Sequence, residues 1–457
     1  MFIRYLLILS VVLLTVFSCR NQEEIVSTSF SNNPIKFDSD TILFDTLITT
    51  GKVSITKRLK VINTSSNALI INSISLGKGN NSNFSVFCNG LKSVNFSNVK
   101  LLGKDSLYIL VNIVPLENNS SNVLILEDSL VFSIQNLVSS VKLLAWGQDA
   151  YYFNNDTISS DFTFKSDKPN VIYGSILVDS LFTLTANSNT RLYFYNNAKI
   201  ISKGQIVFNG SKEQPILLQS FREDGKYENQ PGLWGGIFIN GKGVSKFNWV
   251  IIKNSGLGIE VNNDNHNLKI SHSKFFNFSS YAINLINCNS LEIDNSLFYK
   301  SLYELLHADN VSNLNVYNNT FANVQSGYSR SLPSVNISEK LAIVNFINNI
   351  VWGDLQYEFS NLAKSPTIID VNFNIFKAKE IDIKNTNNYY LKNSSEFIFK
   401  DISKYDFRPD SIFSLSSNKK IPSKARNNGS PNLFNNDYLD LYGNLRDSNP
   451  DIGAIEY

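Results

Sequence analysis

The chain has 457 residues, with 41 Lys and Arg against 39 Asp and Glu and a formal net charge of +2. This near balance gives no basic patch of the size that nucleic acid demands, which excludes nucleic acid as a partner. Three cysteines exclude a disulfide scaffold and a cysteine-ligated zinc site, and the hydrophobic fraction of 43% can fill sizeable cores.

The amino terminus has the pattern of an export signal. One positive charge precedes an apolar run over 5–17 that is short for a membrane span, and Ser18 places a small residue just before Cys19. This pattern resembles a bacterial lipoprotein signal, and the polar, acidic residues 20–24 are similar to those of Bacteroidetes-type lipoproteins. The resemblance implies a signal peptide over 1–18 and a lipid on Cys19 that anchors the chain in the outer membrane, facing the cell exterior. A plain secretory peptide is the alternative.

A separate all-β region is predicted after a tether over 19–33. Between residues 34 and 148, about seven short segments alternate apolar and polar residues, with Asn, Ser and Gly clusters between them. This spacing is typical of a β-sandwich. The stretch Lys60 to Ile71 resembles the hairpins of immunoglobulin-like modules, which implies a spacer between the anchor and the rest of the chain. Residues 149–170 are then expected to form a linker.

From residue 171 to 400 we predict a solenoid, because a hydrophobic pattern returns at a nearly fixed interval. The steps are 23, 23, 23, 30 and 25 residues, and a second apolar residue follows each copy five positions later. The first markers are Phe247, Ile270, Ile293, Val316, Phe346 and Val371, and the second are Ile252, Phe275, Phe298, Phe321, Val351 and Phe376. Each copy predicts a short strand followed by a bend, and such a unit cannot bury its own apolar face.

The residue types favour strands over helices, and polar residues recur in register at the bends. The recurring residues are Asn295, Asn318 and Asn348 at one offset, and Ser273, Ser296, Asn319, Asn349 and Asn374 at the next. Stacked coils bring equal offsets together, so these side chains are expected to form ladders, with His272 as an end member. Of Asn318 and Asn319, one is expected to point inward and the other outward. An antiparallel sandwich with evenly spaced strands is the alternative.

Three features of the chain resemble the right-handed parallel β-helix proteins of the pectin-lyase-like superfamily. They are the stretch Trp234 to Ile239, the repeated copies of a strand followed by Asn, and the closing stretch Asp451 to Glu456. In that family a segment of the form Asp, Gly, Arg and then Asp-Ile-Gly-Ala-x-Glu ends the solenoid. The matching residues are Asp440, Gly443, Arg446, Asp451 and Glu456. The resemblance implies that residues 401–457 cap the open end of the last coil, with Arg446 paired to carboxylates. A carboxylate site is the alternative. The expected fold is all-β, an immunoglobulin-like sandwich followed by a right-handed parallel β-helix with a C-terminal cap.

The solenoid offers no catalytic residues of the expected types. It lacks the Asn-Thr-Asp, Asp-Asp and Gly-His-Gly clusters of pectin-lyase-like hydrolases, so their acid and base have no counterpart here. Glu304, His307 and Asp309 fall in one coil, but strict strand alternation places Glu304 and His307 on opposite faces unless the chain bends.

Two loops supply candidate ligand contacts. The insertion over 325–333 carries Tyr328 and Arg330, and a charged turn before Trp234 carries Arg222 and Tyr227. Aromatic rings suit sugar stacking, and guanidinium groups suit carboxylates. Neutral, solvated surface loops are the alternative for both.

These features favour a non-catalytic surface lipoprotein that binds a polysaccharide or another surface. A polysaccharide lyase or glycoside hydrolase of the pectin-lyase-like type and a passive structural spacer are the alternatives. No cofactor and no metal is implied. Cys88 and Cys288 are expected to be buried free thiols in different domains.

Overall fold

A computed structural model of the chain describes residues 25–30, 32–48, 55–113, 123–222, 227–324, 329–338, 343–361, 368–378, 387–393, 396–414, 419–431, 433 and 438–456. These parts are all-β and form two compact units that divide after Ala150. Within the same ranges no helix has the length and apolar character needed to cross a membrane. The predicted signal peptide and Cys19 lie outside the described residues.

The described part of the first unit contains ten strands. They are β1 (Ile35–Phe37), β2 (Thr41–Ile48), β3 (Ile55–Asn63), β4 (Leu69–Leu76), β5 (Phe84–Cys88), β6 (Leu91–Ser93), β7 (Asn95–Leu101), β8 (Ser106–Ile113), β9 (Leu124–Ile134) and β10 (Leu137–Gln148), with a 3₁₀ turn at Gly79–Asn81. The seven predicted segments correspond to β2, β3, β4, β5, β8, β9 and β10. The sequence did not reveal β1 and β6, which are three residues long, or the largely exposed β7.

These strands form two sheets that share one core. The first has the order β1-β3-β8-β5-β6 and the second β2-β10-β9-β4-β7. All neighbours are antiparallel except β2 and β10, which run parallel. Alternate side chains are buried along β5 and β8, as expected of sheets with one face on a core. The arrangement is compatible with the predicted β-sandwich. Cys88 is a buried free thiol here, and Cys288 is one in the second unit, which confirms both predictions.

The second unit begins with a long run of parallel strands. In the described residues they are β11 (Tyr151–Asn154), β12 (Thr157–Ile158), β13 (Phe162–Thr163), β14 (Asn170–Val178), β15 (Thr183–Asn187), β16 (Arg191–Ser202), β17 (Gln205–Asn209), β18 (Ile216–Ser220), β19 (Gly236–Ile239), β20 (Gly243–Asn248), β21 (Val250–Lys253), β22 (Ile259–Ser271), β23 (Lys274–Phe278), β24 (Ile283–Asp294), β25 (Leu297–Ser301), β26 (Leu306–Ala308), β27 (Val311–Tyr317), β28 (Thr320–Asn323), β29 (Val335–Ile337), β30 (Ile343–Ile347), β31 (Ile350–Gly353), β32 (Phe359–Asn361), β33 (Ile368–Asn372), β34 (Ile375–Phe376) and β35 (Tyr389–Tyr390).

Successive turns add strands to three parallel stacks, which we name faces 1, 2 and 3. Face 1 contains β11, the first halves of β14 and β16, β18, β21, β23, β25, β28, β31, β34 and β35. Face 2 contains β12, the second halves of β14 and β16, β19, the first halves of β22 and β24, β26, β29 and β32. Face 3 contains β13, β15, β17, β20, the second halves of β22 and β24, β27, β30 and β33. The result is a parallel β-solenoid of about nine turns.

The predicted register of the repeat is confirmed. On face 3 each first marker pairs with the next one, from Phe247 with Ile270 through to Phe346 with Val371. On face 1 each second marker pairs in the same way. The rings of Phe275, Phe298 and Phe321 stack with centroids 5.1 and 4.9 Å apart. Parallel stacking of equal offsets therefore converts a sequence period into one continuous core.

The bend between faces 3 and 1 explains the first Asn offset. The residue at this offset has a left-handed backbone conformation in six successive copies of the repeat. They are Trp249, His272, Asn295, Asn318, Asn348 and Phe373, with φ between 44° and 59°. Asn is favoured there because it tolerates this conformation better than most residues with a side chain. His272 shares this backbone, and its ring stacks on Trp249 with centroids 4.7 Å apart.

The second offset forms the predicted ladder. The backbone N–H of Ser296 donates to Asn319 Oδ1 at 2.9 Å, and that of Asn319 donates to Asn349 Oδ1 at 2.9 Å. Asn319 Nδ2 also donates to the carbonyls of Ile293 and Tyr317. Asn319 is thus the inward residue of the predicted pair. The other residue of the pair was expected to point outward, but Asn318 is also buried, at 1% exposed.

The predicted linker over 149–170 is not observed as such. It contains β11, β12 and β13, which pair in parallel with β14 and β15. The second unit begins at Tyr151, ahead of the predicted start at 171. These strands have two to four residues, too few for alternation to be recognised in the sequence.

Residues 396–456, which we name the C-terminal segment, pack along the flank of the solenoid. Their described strands are β36 (Phe399–Asp401), β37 (Asp406–Pro409), β38 (Ile412–Ser414) and β39 (Lys419–Ile421), paired as two antiparallel hairpins, with a 3₁₀ turn at Ile402–Lys404. The segment shares a core with outward side chains of face 1. That core includes Leu297, Tyr299, Ala322, Ile350, Trp352 and Ile375 from the solenoid and Phe397, Phe399, Phe407, Ala425, Leu441, Ile452, Ala454 and Ile455 from the segment.

The prediction that this segment closes the open end of the last coil needs correction. The N–H of Ala454 donates to Thr320 Oγ1 at 3.0 Å, and the N–H of Gly453 donates to Asn348 O at 2.7 Å, so the Asp-Ile-Gly-Ala stretch lies against β28 and the bend before β31, on the flank of the solenoid. The physical reason is that β25, β28 and β31 carry apolar side chains on both sides. Strands of this kind must be covered on both sides.

Candidate functional site

A groove of about 390 Å³ lies on the outer side of face 3, over β17, β20, β22 and β24. Because Phe247 and Ile270 point into the core, the residues on either side of them point outward. The polar residues that line the groove are Asn209, Lys246, Asn248, Lys269, Ser271, Glu292 and Asp294. Strand pairing places Lys246, Lys269 and Glu292 in one row and Asn248, Ser271 and Asp294 in the next, and both rows follow the solenoid axis.

Hydrogen bonds link the second row from strand to strand. Asn248 Nδ2 donates to Asn209 Oδ1 at 3.0 Å, and Ser271 Oγ donates to Asn248 Oδ1 at 3.0 Å. In the first row Lys246 is exposed, and Lys269 Nζ lies 2.6 Å from Glu292 Oε2 with both side chains about half exposed. An ion pair this exposed adds only about 0–1 kcal/mol of stability. Its charges therefore stay accessible to a ligand.

Asp294 is the unusual group of the groove. Burial raises the pKa of its carboxyl from 3.8 to about 6, and hydrogen bonds from Asn295 and Tyr438 limit the rise. Tyr438 belongs to the C-terminal segment, which also reaches His272, whose Nε2 lies 3.1 Å from Leu439 O. Carboxyl groups whose pKa is raised by burial recur at functional sites, and Asp294 lies in the groove beside Glu292.

The candidate loop residues lie elsewhere. Tyr328 is outside the described residues. Arg222 is exposed, and its Cζ lies 3.5 Å from the ring centroid of Tyr227, so these two predicted residues do come together. Neither of them lines the groove on face 3.

Arg330 was expected to present its guanidinium at the surface, but the side chain is only 1% exposed. Its Nη2 lies 2.6 Å from Glu358 Oε1 and donates to Asn323 O at 3.0 Å, and its Nη1 donates to Leu332 O at 3.1 Å. Glu358 also accepts from the Ser334 hydroxyl at 2.6 Å. The guanidinium is thus the partner of a buried carboxylate, a role that the sequence could not reveal because Glu358 lies 28 positions away.

The residues of the closing motif form one buried network. Arg446 Nη1 lies 3.1 Å from Glu456 Oε2, and its Nη2 donates to Asn295 Oδ1 at 2.8 Å, which holds the segment against the end of β24. Asp451 accepts a hydrogen bond from Arg446 Nη1 through its backbone carbonyl, and its carboxylate accepts the N–H of Asn427 at 2.7 Å. Asp440 Oδ2 accepts the N–H of Glu456 at 2.9 Å.

A glycine is required at two positions of this network. Gly443 and Gly453 have φ of +71° and +105°, in the left-handed region that disfavours residues with a side chain. A Cβ at Gly453 would also lie 2.6 Å from Ile350 Cδ1. The motif therefore matches a docking role on the flank of the solenoid.

The sequence contains a signal for the groove that its motifs do not reveal. Lys246, Lys269 and Glu292 each lie one position before a marker residue of face 3, and so they share an offset. Charged residues that recur at an outward offset predict a charged row on one face of a solenoid. Within the described ranges, no three His, Cys, Asp or Glu residues are placed to hold a metal ion.

No protein-family model and no curated protein matches the sequence. Among solved structures, the PapD-like domain 7 of human CEP192 has 8% identity and a TM-score of 0.19, and covers 29% of this chain and 96% of its own. A protein of unknown function from Porphyromonas gingivalis W83 has 12% identity and a TM-score of 0.19, covering 28% of this chain and 61% of its own. A family 123 glycoside hydrolase from Clostridium perfringens has 8% identity and a TM-score of 0.18, covering 26% of this chain and 30% of its own. Likenesses this weak carry no argument about function.

Proposed function

We propose that this chain is a lipid-anchored protein of the outer membrane of a Bacteroidetes-type bacterium, and that it binds a polysaccharide on face 3 of its solenoid. In this proposal Cys19 carries the lipid, and an immunoglobulin-like module spaces the solenoid from the membrane. The solenoid is a right-handed β-helix of the pectin-lyase-like type. The observation that carries the binding role is the groove over β17, β20, β22 and β24.

The groove suits a polymer because its polar groups repeat. Equivalent residues of neighbouring strands are about 4.8 Å apart, so the two rows offer a series of donors and acceptors along one direction. A polysaccharide also offers hydroxyl groups at regular intervals. Lys246 and Lys269 add cations that suit a carboxylate or sulfate, while Asn248 and Ser271 suit hydroxyl groups. Each contact is modest, so affinity depends on several turns acting together.

The experiment compares binding of acidic and neutral polysaccharides by the wild type and by the double variant Lys246→Ala with Asn248→Ala. We expect about a tenfold loss of affinity, which corresponds to about 1.4 kcal/mol, for the polysaccharide that binds best. Lys242→Ala is the control, because Lys242 is exposed on the turn before β20 and does not line the groove. If no polysaccharide binds, or if the double variant binds as well as the control, the proposal fails and a passive structural spacer becomes the better description.

A specific observation favours a second candidate function, a glycoside hydrolase. Glycoside hydrolysis uses one carboxyl group as an acid and another as a base or nucleophile. Asp294, with its pKa raised to about 6 by burial, suits the acid, and the exposed carboxylate of Glu292 lies on the same side of β24. The binding experiment tests this candidate as well, by measuring new reducing ends. A hydrolase would lose activity but keep binding in Asp294→Asn, and its rate would fall as pH rises above about 6 because the acid form is lost.

A further inference from the structure

A second group of polar and aromatic side chains lies on face 2 and the bend before it, away from the groove. Its centre is Glu304, which precedes β26 and is only 2% exposed. Both Leu305 and Leu306 donate their N–H groups to Ser334 O, so the chain bends directly after Glu304. The bend brings Glu304 and His307 to the same side, with Nδ1 of the imidazole 3.6 Å from Glu304 Oε1. Strict strand alternation would place Glu304 and His307 on opposite faces, and this bend is what brings them together.

The carboxylate of Glu304 is only partly satisfied. Oε1 accepts a hydrogen bond from Asn336 Nδ2 at 3.2 Å, and the 3.6 Å separation from His307 is too long for a hydrogen bond. Oε2 is buried and has no hydrogen-bond partner among the described residues. A buried carboxylate with an unpartnered oxygen costs free energy, and a positive charge held close to it would offset part of that cost.

The surroundings of Glu304 are acidic. Strand pairing stacks Glu260, Asn284, His307 and Asn336 in one outward row of face 2. Asn284 Nδ2 donates to Glu260 Oε2 at 2.8 Å. Among the described residues, no lysine or arginine forms an ion pair with Glu260 or Glu304. Together with Glu304, the row therefore presents two carboxylates, two amides and the imidazole of His307.

Aromatic rings lie beside the carboxylates. The rings of Tyr281 and Tyr303 meet edge to face with centroids 5.3 Å apart, and Tyr303 is 42% exposed. Tyr281 also lies 5.5 Å from the His307 ring, measured between centroids. Burial, and then the charge of Glu304, raise the pKa of Tyr281, so its hydroxyl stays neutral. An exposed tyrosine face next to a carboxylate suits a ring that carries a cation.

We infer that Tyr281, Tyr303, Glu260 and Glu304 form a second binding site, which takes the protonated amine of an amino sugar. The inference rests on the proposed function in one respect, since it assumes that the chain binds glycans. The sugar ring lies against Tyr303, and its ammonium group faces the negative charges of Glu304 and Glu260. The groove on face 3, which contains lysines, suits acidic or neutral polysaccharides, whereas this site suits a cationic one.

The experiment uses two oligosaccharides of equal length, one of glucosamine and one of N-acetylglucosamine, and measures their binding to the intact protein. Acetylation removes the positive charge and keeps the ring. We expect the glucosamine oligomer to bind at least about tenfold more tightly, and added salt to weaken it. Glu304→Gln should weaken it by about tenfold or more, and Tyr303→Ala, an exposed position that folding tolerates, by several-fold.

Three outcomes would overturn the inference. The first is equal binding of the two oligomers, and the second is binding of the glucosamine oligomer by both Tyr303→Ala and Glu304→Gln as tight as by the wild type. The third is equally tight binding of polylysine by the wild type and by Tyr303→Ala, which would indicate a cationic peptide as the ligand. Lys246→Ala separates this site from the groove. This variant should bind the glucosamine oligomer as tightly as the wild type does, because Lys246 is not part of the second site. If the variant also binds acidic and neutral polysaccharides as tightly as the wild type, the proposed function of the groove fails and the second site is unaffected.

Discussion

The turns of the solenoid and the C-terminal segment that covers them are stabilised in different ways. In the turns, each residue meets its equivalent in the next turn, as Phe275 meets Phe298 and Asn319 meets Asn349. The C-terminal segment has no period, and its strands are only three or four residues long. It depends on individual contacts, above all those of Arg446. A repeated contact is therefore shared among many turns, whereas we expect the segment to be sensitive to a single substitution.

The largest effect is expected from Arg446→Met. The substitution removes the ion pair with Glu456 and the hydrogen bonds to Asn295 and Gly453, and it leaves the carboxylate of Glu456, whose side chain is 10% exposed, without its cation. Breaking a buried pair in this way costs about 3–5 kcal/mol. We expect the C-terminal segment to open locally, so hydrogen exchange should accelerate in residues 438–456 while the solenoid strands stay protected.

Lys420→Met is the matched control, because Lys420 lies on β39 of the same segment and is exposed. It should change stability by less than about 0.5 kcal/mol. If Arg446→Met lowers the protection of the solenoid strands as much as that of the segment, the segment is not an independent cover and the comparison fails.

A medium effect is expected from Asn319→Leu, which tests the repeated contacts. The change leaves the N–H of Ser296 and the carbonyls of Ile293 and Tyr317 without their buried partner, at a cost of about 1–3 kcal/mol in the free energy of unfolding. Chemical denaturation measures the cost. A matched exposed ladder runs through Asn287, whose Nδ2 donates to Asn262 Oδ1 at 2.8 Å. Asn287→Leu should cost under about 0.5 kcal/mol, and equal costs at both positions would show that burial of the ladder is unimportant.

The smallest effect is expected from pH. His266 is fully buried, its Nδ1 lies 2.8 Å from Gly241 O, and burial lowers its pKa from 6.5. Because the folded-state pKa is below the unfolded value, the neutral ring stabilises the fold fully above pH 6.5, and this stability is lost as pH falls through the folded pKa.

His272, whose pKa is also lowered by burial, adds a loss of the same sign. Asp294, whose pKa is raised, acts in the opposite sense, since its protonation below about 6 favours the folded state. The measurement is therefore the melting temperature of the wild type and of His266→Gln at several pH values from 7 to 5, compared between the two proteins. The variant should lose less stability on acidification, and parallel curves would contradict the assignment.

Much of the solenoid was predictable from the sequence because every turn pairs with the next turn in the same way. Once the period is known, the partner of Phe247 is the residue one period later, and no long-range information is needed. The left-handed bend was also recorded in the sequence as Asn at a constant offset. The prediction was least successful for β11, β12 and β13, where the strands are too short to show alternation.

The amino-acid sequence by itself determined the all-β class, the turns and the register of the marker residues, since periodic apolar residues permit few other arrangements. Only the tertiary structure decided that the closing motif docks on face 1, that Arg330 meets Glu358, and that Glu304 and His307 share a side. Each of these contacts joins positions through a bend or an aperiodic stretch of chain. Their geometry depends on the whole path of the backbone, and no spacing in the sequence encodes it.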